Sequence, residues 1–226
     1  MESEQVLVSD SLAETLWRLE EVRQGFRPKS TSKVQEALRW VISRQGLQRS
    51  YANLFSPTTK DIDGAQLLTG EHVESAALRH ILGEEALRTV LLWGQGSSAA
   101  VKTAVNSFNQ LLERGGASCA RLTGFYCCYK CTPAFMRALA VVKPDGWRKI
   151  LEKSVENIKE NRTPDGRWRG FTFFYTLLTL SEIDMISAKD ELRHAQNVAE
   201  KLVKRYQKDD RTSRFRRLGL EAVISA

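Results

Sequence analysis

The chain has 226 residues, of which 42% are hydrophobic, and its formal net charge at pH 7 is +7. These values suit one sizeable domain with a buried core, and no run approaches the roughly 20 apolar residues that a membrane-spanning helix needs. The amino terminus has no basic segment followed by an apolar one, so we expect a cytoplasmic protein without a secretory signal. The positive charge permits an anionic partner but does not require one.

Helical periodicity begins early in the chain and continues almost to its end. The first predicted helix covers about residues 11–24, and Ser11 with Glu14 forms a capping box at its start. Ser32 is the predicted cap of a second helix, which ends near Gly46. The chain is therefore expected to open with a helical hairpin.

Residues 47–70 are rich in Pro, Gly, Thr and Asp, which favours an irregular loop that is either functional or mobile. One short helix is expected within this loop at about residues 51–55. No later segment alternates as a strand does, so the sequence predicts an all-α fold. The remaining helices are predicted between Gly94 and Gly115, from Ser187 to Tyr206, and at about 71–93, 133–142, 145–161, 170–183 and 212–224.

A sequence repeat organises the second half of the chain. Gly124, Phe125 and Tyr129 recur as Gly170, Phe171 and Tyr175, and the spacing is typical of two-helix repeats. Short helices joined by short loops stack into a solenoid. We therefore expect a single domain over 1–226, with an amino-terminal hairpin and loop over 1–70 and stacked helical hairpins over 71–226.

The segment from Asp165 to Phe171 reads Asp-Gly-Arg-Trp-Arg-Gly-Phe and precedes an apolar helix. It resembles the repeat of the terpenoid cyclase and protein prenyltransferase superfamily, in which a D-G-x-W turn leads into an inner helix of an α/α toroid. The resemblance covers roughly residues 105–205, with one clear and one degraded repeat. It implies an open α/α solenoid similar to part of such a toroid.

The catalytic motifs of that superfamily do not carry over to this sequence. The D-x-D-D acid motif is missing, and so is the zinc triad, because Ala117, Phe125 and Tyr129 stand where an Asp would precede a Cys by two residues. We therefore expect a non-catalytic binding or scaffold module without a cofactor, whose partner is another protein. The alternative is an enzyme or carrier with an isoprenoid-like anionic ligand on a concave aromatic surface lined by Phe125, Tyr129, Arg169, Phe171, Phe174 and Tyr175.

Four cysteines form a second candidate site, and they support competing interpretations. If residues 125–131 are helical, the side chains converge and a zinc or iron–sulfur site is conceivable. Alignment with the second copy of the repeat instead indicates buried core thiols, and redox sensing is a third possibility. A helix beginning at Thr132-Pro133 would place the cysteines in a loop and favour metal binding. The four residues are Cys119, Cys127, Cys128 and Cys131.

Two further groups of polar residues have a functional and a structural interpretation. His80 and Glu84 are spaced to share a helix face and to bind a metal or move a proton, but a solvated face with ion pairs to Arg88 is the preferred interpretation. Near the carboxyl terminus, basic residues interleaved with aromatic ones suit nucleic-acid binding, or form the polar outer face of a terminal repeat. These basic residues are Lys204, Arg205, Lys208, Arg214, Arg216 and Arg217.

Overall fold

A computed structural model describes residues 5–113 and 120–226. These residues form helices and loops without any named strand, which confirms the all-α prediction. None of the described helices is long and apolar enough to cross a membrane. The helices are α1 (Leu12–Arg23), α2 (Thr31–Ser43), α3 (Thr59–Ile62), α4 (Ser75–Leu92), α5 (Ala99–Leu112), α6 (Ala120–Thr123), α7 (Thr132–Val142), α8 (Trp147–Glu160), α9 (Phe173–Ser181), α10 (Ile186–His194), α11 (Gln196–Val203) and α12 (Arg211–Ile224).

The chain divides into two compact units. Unit 1 comprises the described residues of Met1–Ala65 and Glu74–Leu111, and unit 2 comprises Gln66–Val73 and the described residues of Leu112–Ala226. The sequence-based division at residue 70 falls inside the short segment that belongs to unit 2. That the whole chain acts as a single domain stays a prediction.

In unit 1, a buried carboxylate joins the start of α1 to the loop before α4. Asp61 accepts hydrogen bonds from the Ser11 hydroxyl (2.6 Å) and from the backbone amide of Leu12 (2.9 Å), and it also caps its own helix α3 through the amide of Thr58 (2.8 Å). The short helix of this loop therefore lies at α3. The prediction of a helix at 51–55 is wrong, because Ala52 and Asn53 adopt left-handed backbone angles.

Helix α4 is buried on more than one side, since α1, α2 and α3 all pack against it. Glu84 and Glu85 are consequently buried, and Arg88 forms a buried ion pair with Glu20 on α1 (3.3 Å). The solvated face of the preferred interpretation is therefore wrong, whereas its ion pair between Glu85 and Arg88 is present at 3.9 Å. Burial, with a smaller effect from Arg79, lowers the pKa of His80 to about 4.

In unit 2, the apolar helix α9 packs against α7, α10 and α12. The D-G-x-W turn joins α8 to α9, and its Trp168 is 4% exposed. The Trp168 indole nitrogen donates a hydrogen bond to the buried Glu191 (2.9 Å), which also receives two bonds from Arg162 (3.0 and 2.7 Å). A buried carboxylate on α10 therefore holds the turn in place.

The two copies of the sequence repeat differ in structure. Gly124 and Gly170 both have left-handed backbones, with φ of 69° and 80°. After Gly170 the chain enters α9 within three residues, whereas after Gly124 it forms a loop as far as Cys131. The helix over residues 125–131 that we considered for the cysteines is therefore not formed. The predicted helix from Ser187 to Tyr206 is likewise interrupted, at Ala195 between α10 and α11.

Candidate thiol site at the start of α7

The loop 124–131 is anchored at both ends by side chains of neighbouring helices. At its start, the Ser154 hydroxyl on α8 donates to the carbonyl of Gly124 (2.7 Å), and a side chain at Gly124 would overlap the backbone of α8. At its end, the Thr132 hydroxyl lies 2.9 Å from the carbonyl of Cys128 and 3.1 Å from that of Tyr126. The loop therefore has a defined shape against α8 and α7.

Three thiols converge within this loop. The sulfurs of Cys128 and Cys131 are 3.0 Å apart, and those of Cys127 and Cys131 lie within 4.8 Å of each other. Cys127 takes part because its backbone is left-handed, with φ of 57°. Cys127 is exposed, Cys128 is half-buried and Cys131 is buried, so the group extends from the surface into the protein.

The surroundings of Cys128 favour its thiolate. A hydrogen bond with the Cys131 thiol is the largest influence, and backbone amides of Cys131 (3.3 Å) and Lys130 also bond to the Cys128 sulfur. Together they outweigh the opposing effect of burial and lower the pKa of Cys128 to about 6. The position just before an α-helix acts in the same direction, since the amino end of a helix stabilises negative charge. Cys128 is thus largely a thiolate at neutral pH.

The spacing of the sulfurs allows two kinds of chemistry. In a disulfide the two sulfurs are about 2.0 Å apart. Sulfurs that share a tetrahedral zinc ion, each about 2.3 Å from the metal, are roughly 3.8 Å apart. The observed 3.0 Å between Cys128 and Cys131 lies between these values. A change of about 1 Å in either direction would therefore form a disulfide or admit a metal ion.

The structure separates the interpretations of the cysteines. A helix starts at Thr132 with Pro133 in its first turn, so the cysteines lie in a loop, as the interpretation that favours metal binding requires. The proposed convergence on one helix face is wrong, because the cysteines precede the helix. The core interpretation holds for Cys131 but is wrong for Cys127, which is exposed. Cys119 lies outside the described residues.

The predicted aromatic surface is divided among several environments. Tyr129 is 40% exposed and contacts Phe125 and Phe171, each with a ring-centroid distance of 5.1 Å. Phe174 packs instead against Tyr206 (5.2 Å). Arg169 is exposed. Tyr175 is fully buried and therefore cannot line an open surface.

The predicted basic segment does not form a uniform patch. Lys204, Arg205 and Lys208 are exposed. The arginines of α12 are largely engaged within unit 2: Arg214 is buried and paired with Asp209 (2.7 Å), and Arg217 lies 3.8 Å from Glu221. The third, Arg216, donates to the carbonyl of Thr69 (2.8 Å) and lies over the rings of Phe174 and Tyr206.

Sequence reasoning missed the residues that support the thiol loop. Ser154 and Asn157 on α8 bond to backbone carbonyls at the start of the loop, and the amide of Lys130 bonds to Cys128. Part of the signal was available, because Cys128 and Cys131 have a C-x-x-C spacing directly before Thr-Pro. Such a spacing is shared by metal sites and by dithiol sites at helix starts.

Comparison with models of protein families, with curated proteins and with solved structures gives no match for this chain.

Proposed function

We propose that this chain is a non-catalytic binding module that holds one thiophilic divalent cation of the zinc class through Cys127, Cys128 and Cys131. The observation that carries the proposal is the convergence of three sulfurs in a loop whose amides bond to the central thiol. Soft thiolate ligands favour zinc over hard cations such as magnesium or calcium.

Charge supports a divalent ion at this position. Three thiolates in one loop repel one another, and a divalent cation would reduce their summed charge from −3 to −1. The amide bonds to Cys128 have the role of outer-shell partners, because they orient a ligand sulfur. The exposed Cys127 gives an ion access from solvent. Zinc sites have four ligands, so one position remains for a water molecule or another donor.

A bound cation would have a structural effect on unit 2. The loop runs from α6 to α7 and rests on α8, so a metal bond to each cysteine would hold these elements together. Binding energy at such a site adds to the free energy of unfolding. This suits a scaffold whose partner is another protein, built from hairpins like those of an α/α toroid. The D-G-x-W turn held by Glu191 supports that architecture.

A dithiol–disulfide couple is the second candidate function, favoured by the 3.0 Å separation and the acidic Cys128 thiol. The Cys128 thiolate would attack an external disulfide and release one of its thiols. Cys131 would then lose its proton and attack the mixed disulfide, releasing the second thiol. The products are an intramolecular Cys128–Cys131 disulfide and two external thiols, so two electrons pass to the external disulfide.

Zinc titration distinguishes the two functions. Reduced protein is titrated with zinc against a chromophoric chelator, and the Cys127→Ser, Cys128→Ser and Cys131→Ser variants are compared with the unmodified chain. We expect one zinc per chain, with binding weakened at least tenfold in each variant. Met136→Leu is the matched control, because it removes a buried sulfur from α7 without removing a thiol.

Two results would contradict the metal proposal. One is the absence of zinc binding by the reduced chain, and the other is equal affinity in the serine variants. If the reduced chain fails to bind zinc but forms a Cys128–Cys131 disulfide with oxidised glutathione, the second candidate replaces the first.

A further inference from the structure

Unit 1 contains a surface groove that is lined by none of the residues of the thiol loop. It has a volume of about 690 Å³ and lies between the chain before α1, the end of α2 and the loop that leads into α3. Its walls include the cationic residues Arg44, Arg49 and Lys60 and the apolar residues Leu47 and Pro57. Ligand pockets in proteins commonly have volumes of about 300 to 1,000 Å³, so the groove is large enough for a small organic ligand.

Arg44 is held in place by neutral partners. Its guanidinium donates to the carbonyls of Ser56 (2.5 Å) and Pro57 (3.1 Å) and lies 5.0 Å from the centre of the Trp40 ring. Its side chain is half-buried, and desolvation lowers the pKa of Arg44, although the nearby Asp61 carboxylate opposes part of that effect. Neutral carbonyls orient this positive charge but do not neutralise it. A bound anion would therefore compensate part of the cost of burial.

Arg49, five residues after Arg44 in the chain, lines the same groove. It donates to the Thr59 hydroxyl (2.6 Å), and its own backbone is left-handed, with φ of 77°. Within the described residues, neither Arg44 nor Arg49 lies within ion-pair distance of a carboxylate. The buried Asp61 nearby uses its oxygens on the start of α1 and on its own helix cap. Neither guanidinium therefore forms a close ion pair, and only Arg44 is attracted by a carboxylate at longer range, that of Asp61.

We propose that this groove binds a compact polyanion of the diphosphate class, with Arg44 and Arg49 as the anion-binding residues. Guanidinium groups match phosphate oxygens through paired hydrogen bonds. Leu47 and Pro57 provide an apolar wall for an organic substituent, and Leu47 is 48% exposed as it stands. This binding activity goes beyond the proposed function and uses residues of unit 1 alone.

The distribution of charge favours a small anion over a nucleic-acid strand. The third cation, Lys60, is paired with Asp10 (3.0 Å), and both are exposed at the rim of the groove. A nucleic-acid strand that continued along the groove past the two arginines would place a phosphate near the Asp10 carboxylate, which would repel it. Nucleic-acid sites instead present a continuous positive track. A ligand with two adjacent phosphates can pair with the two arginines and is short enough to avoid the Asp10 carboxylate.

Calorimetric titration with inorganic pyrophosphate and with ADP at 50 mM salt tests the proposal. Both probes contain a diphosphate, and ADP adds an organic part that can contact the apolar wall. Arg49→Gln removes one charge from an exposed side chain, and we expect it to weaken both probes about 10- to 100-fold, as loss of a charged hydrogen bond does. Arg39→Gln is the matched control, because Arg39 is an exposed arginine of α2 outside the groove. It should leave both affinities unchanged.

Three outcomes would overturn the proposal. They are failure of the unmodified chain to bind either probe, equal loss of affinity in the Arg39 and Arg49 variants, and competition by a single-stranded oligonucleotide that binds more tightly than ADP. Circular dichroism on each variant establishes that it is folded. Zinc content is measured on the same samples, so failure here is distinguishable from failure at the thiol site.

Discussion

Replacing Trp168 should show how strongly the D-G-x-W turn stabilises unit 2. The side chain is almost completely buried, its ring lies 6.0 Å from that of Phe173, and its nitrogen bonds to the buried Glu191. Trp168→Ala should therefore lower the free energy of unfolding by about 3 to 5 kcal/mol, the range for truncation of a buried aromatic residue.

Trp168→Phe removes the hydrogen bond while it keeps part of the aromatic packing. Phenylalanine retains an aromatic ring but cannot donate to Glu191, whose carboxylate keeps its two bonds from Arg162. A bond to a charged group contributes about 1.5 to 3 kcal/mol, and we expect the lower end because Arg162 remains. Trp147→Phe is the matched control, since Trp147 is only half-buried at the start of α8.

Urea denaturation followed by circular dichroism measures these changes. The control should lose less than the Trp168 variants, because Trp147 is only half-buried. A loss below about 1 kcal/mol in Trp168→Ala would refute the view that this residue forms the floor of the hairpin. Equal stability of the Trp168→Phe variant and the unmodified chain would refute a stabilising role for the bond to Glu191.

Three further predictions concern other parts of the chain. Gly25→Ala should lower the free energy of unfolding by about 1 to 2 kcal/mol, the cost of a left-handed alanine in open space. Gly124→Ala should lower it distinctly more in thermal or urea denaturation, because the new methyl group would overlap the backbone of α8. Equal losses in the two variants would contradict the described packing. The folded state disfavours protonation of His80, so the stability that neutral His80 contributes is present above pH 6.5 and is lost as the pH falls towards 4. His80→Gln should therefore flatten the dependence of the free energy of unfolding on pH in that window. An unchanged slope would contradict the lowered pKa of His80. If the exposed basic residues bind nucleic acid, changing Lys204, Arg205 and Lys208 to Glu should abolish salt-sensitive binding of an oligonucleotide in a filter or anisotropy assay without unfolding the chain. Reversing the charge of the buried Arg214 would also disturb the fold. Oligonucleotide binding that survives the triple change would exclude this segment as the binding site.

The helical architecture could be predicted from the sequence because each helix has its own local pattern. The Ser11 cap and the apolar positions of α1 are local signals, and Thr132-Pro133 marks the start of α7. The conformation of residues 124–131 was harder to predict from the sequence, because their similarity to residues 170–177 suggested a helix. The glycine turn is shared, but the distance from that turn to the next helix start is not.

The candidate sites depend on features that a one-dimensional pattern does not specify. Convergence of the thiols requires a left-handed backbone at Cys127 and anchoring by Ser154 on another helix. The groove of unit 1 requires the loop to fold back so that Asp61 reaches Ser11, 50 positions earlier in the chain. Residue identity pointed to thiol chemistry and to a functional loop, but the three-dimensional grouping was needed to connect these residues to particular ligands.

X-ray absorption at the zinc edge tests the central claim most directly, because it counts the sulfur atoms bound to the metal. The chain is loaded with one equivalent of zinc under reducing conditions, and Cys127→Ser is measured beside it. We expect three sulfur atoms at about 2.3 Å from zinc in the unmodified chain, and two in the variant. A spectrum with only oxygen or nitrogen neighbours, or with the same number of sulfurs in both samples, would contradict the assignment of Cys127, Cys128 and Cys131 as the metal ligands.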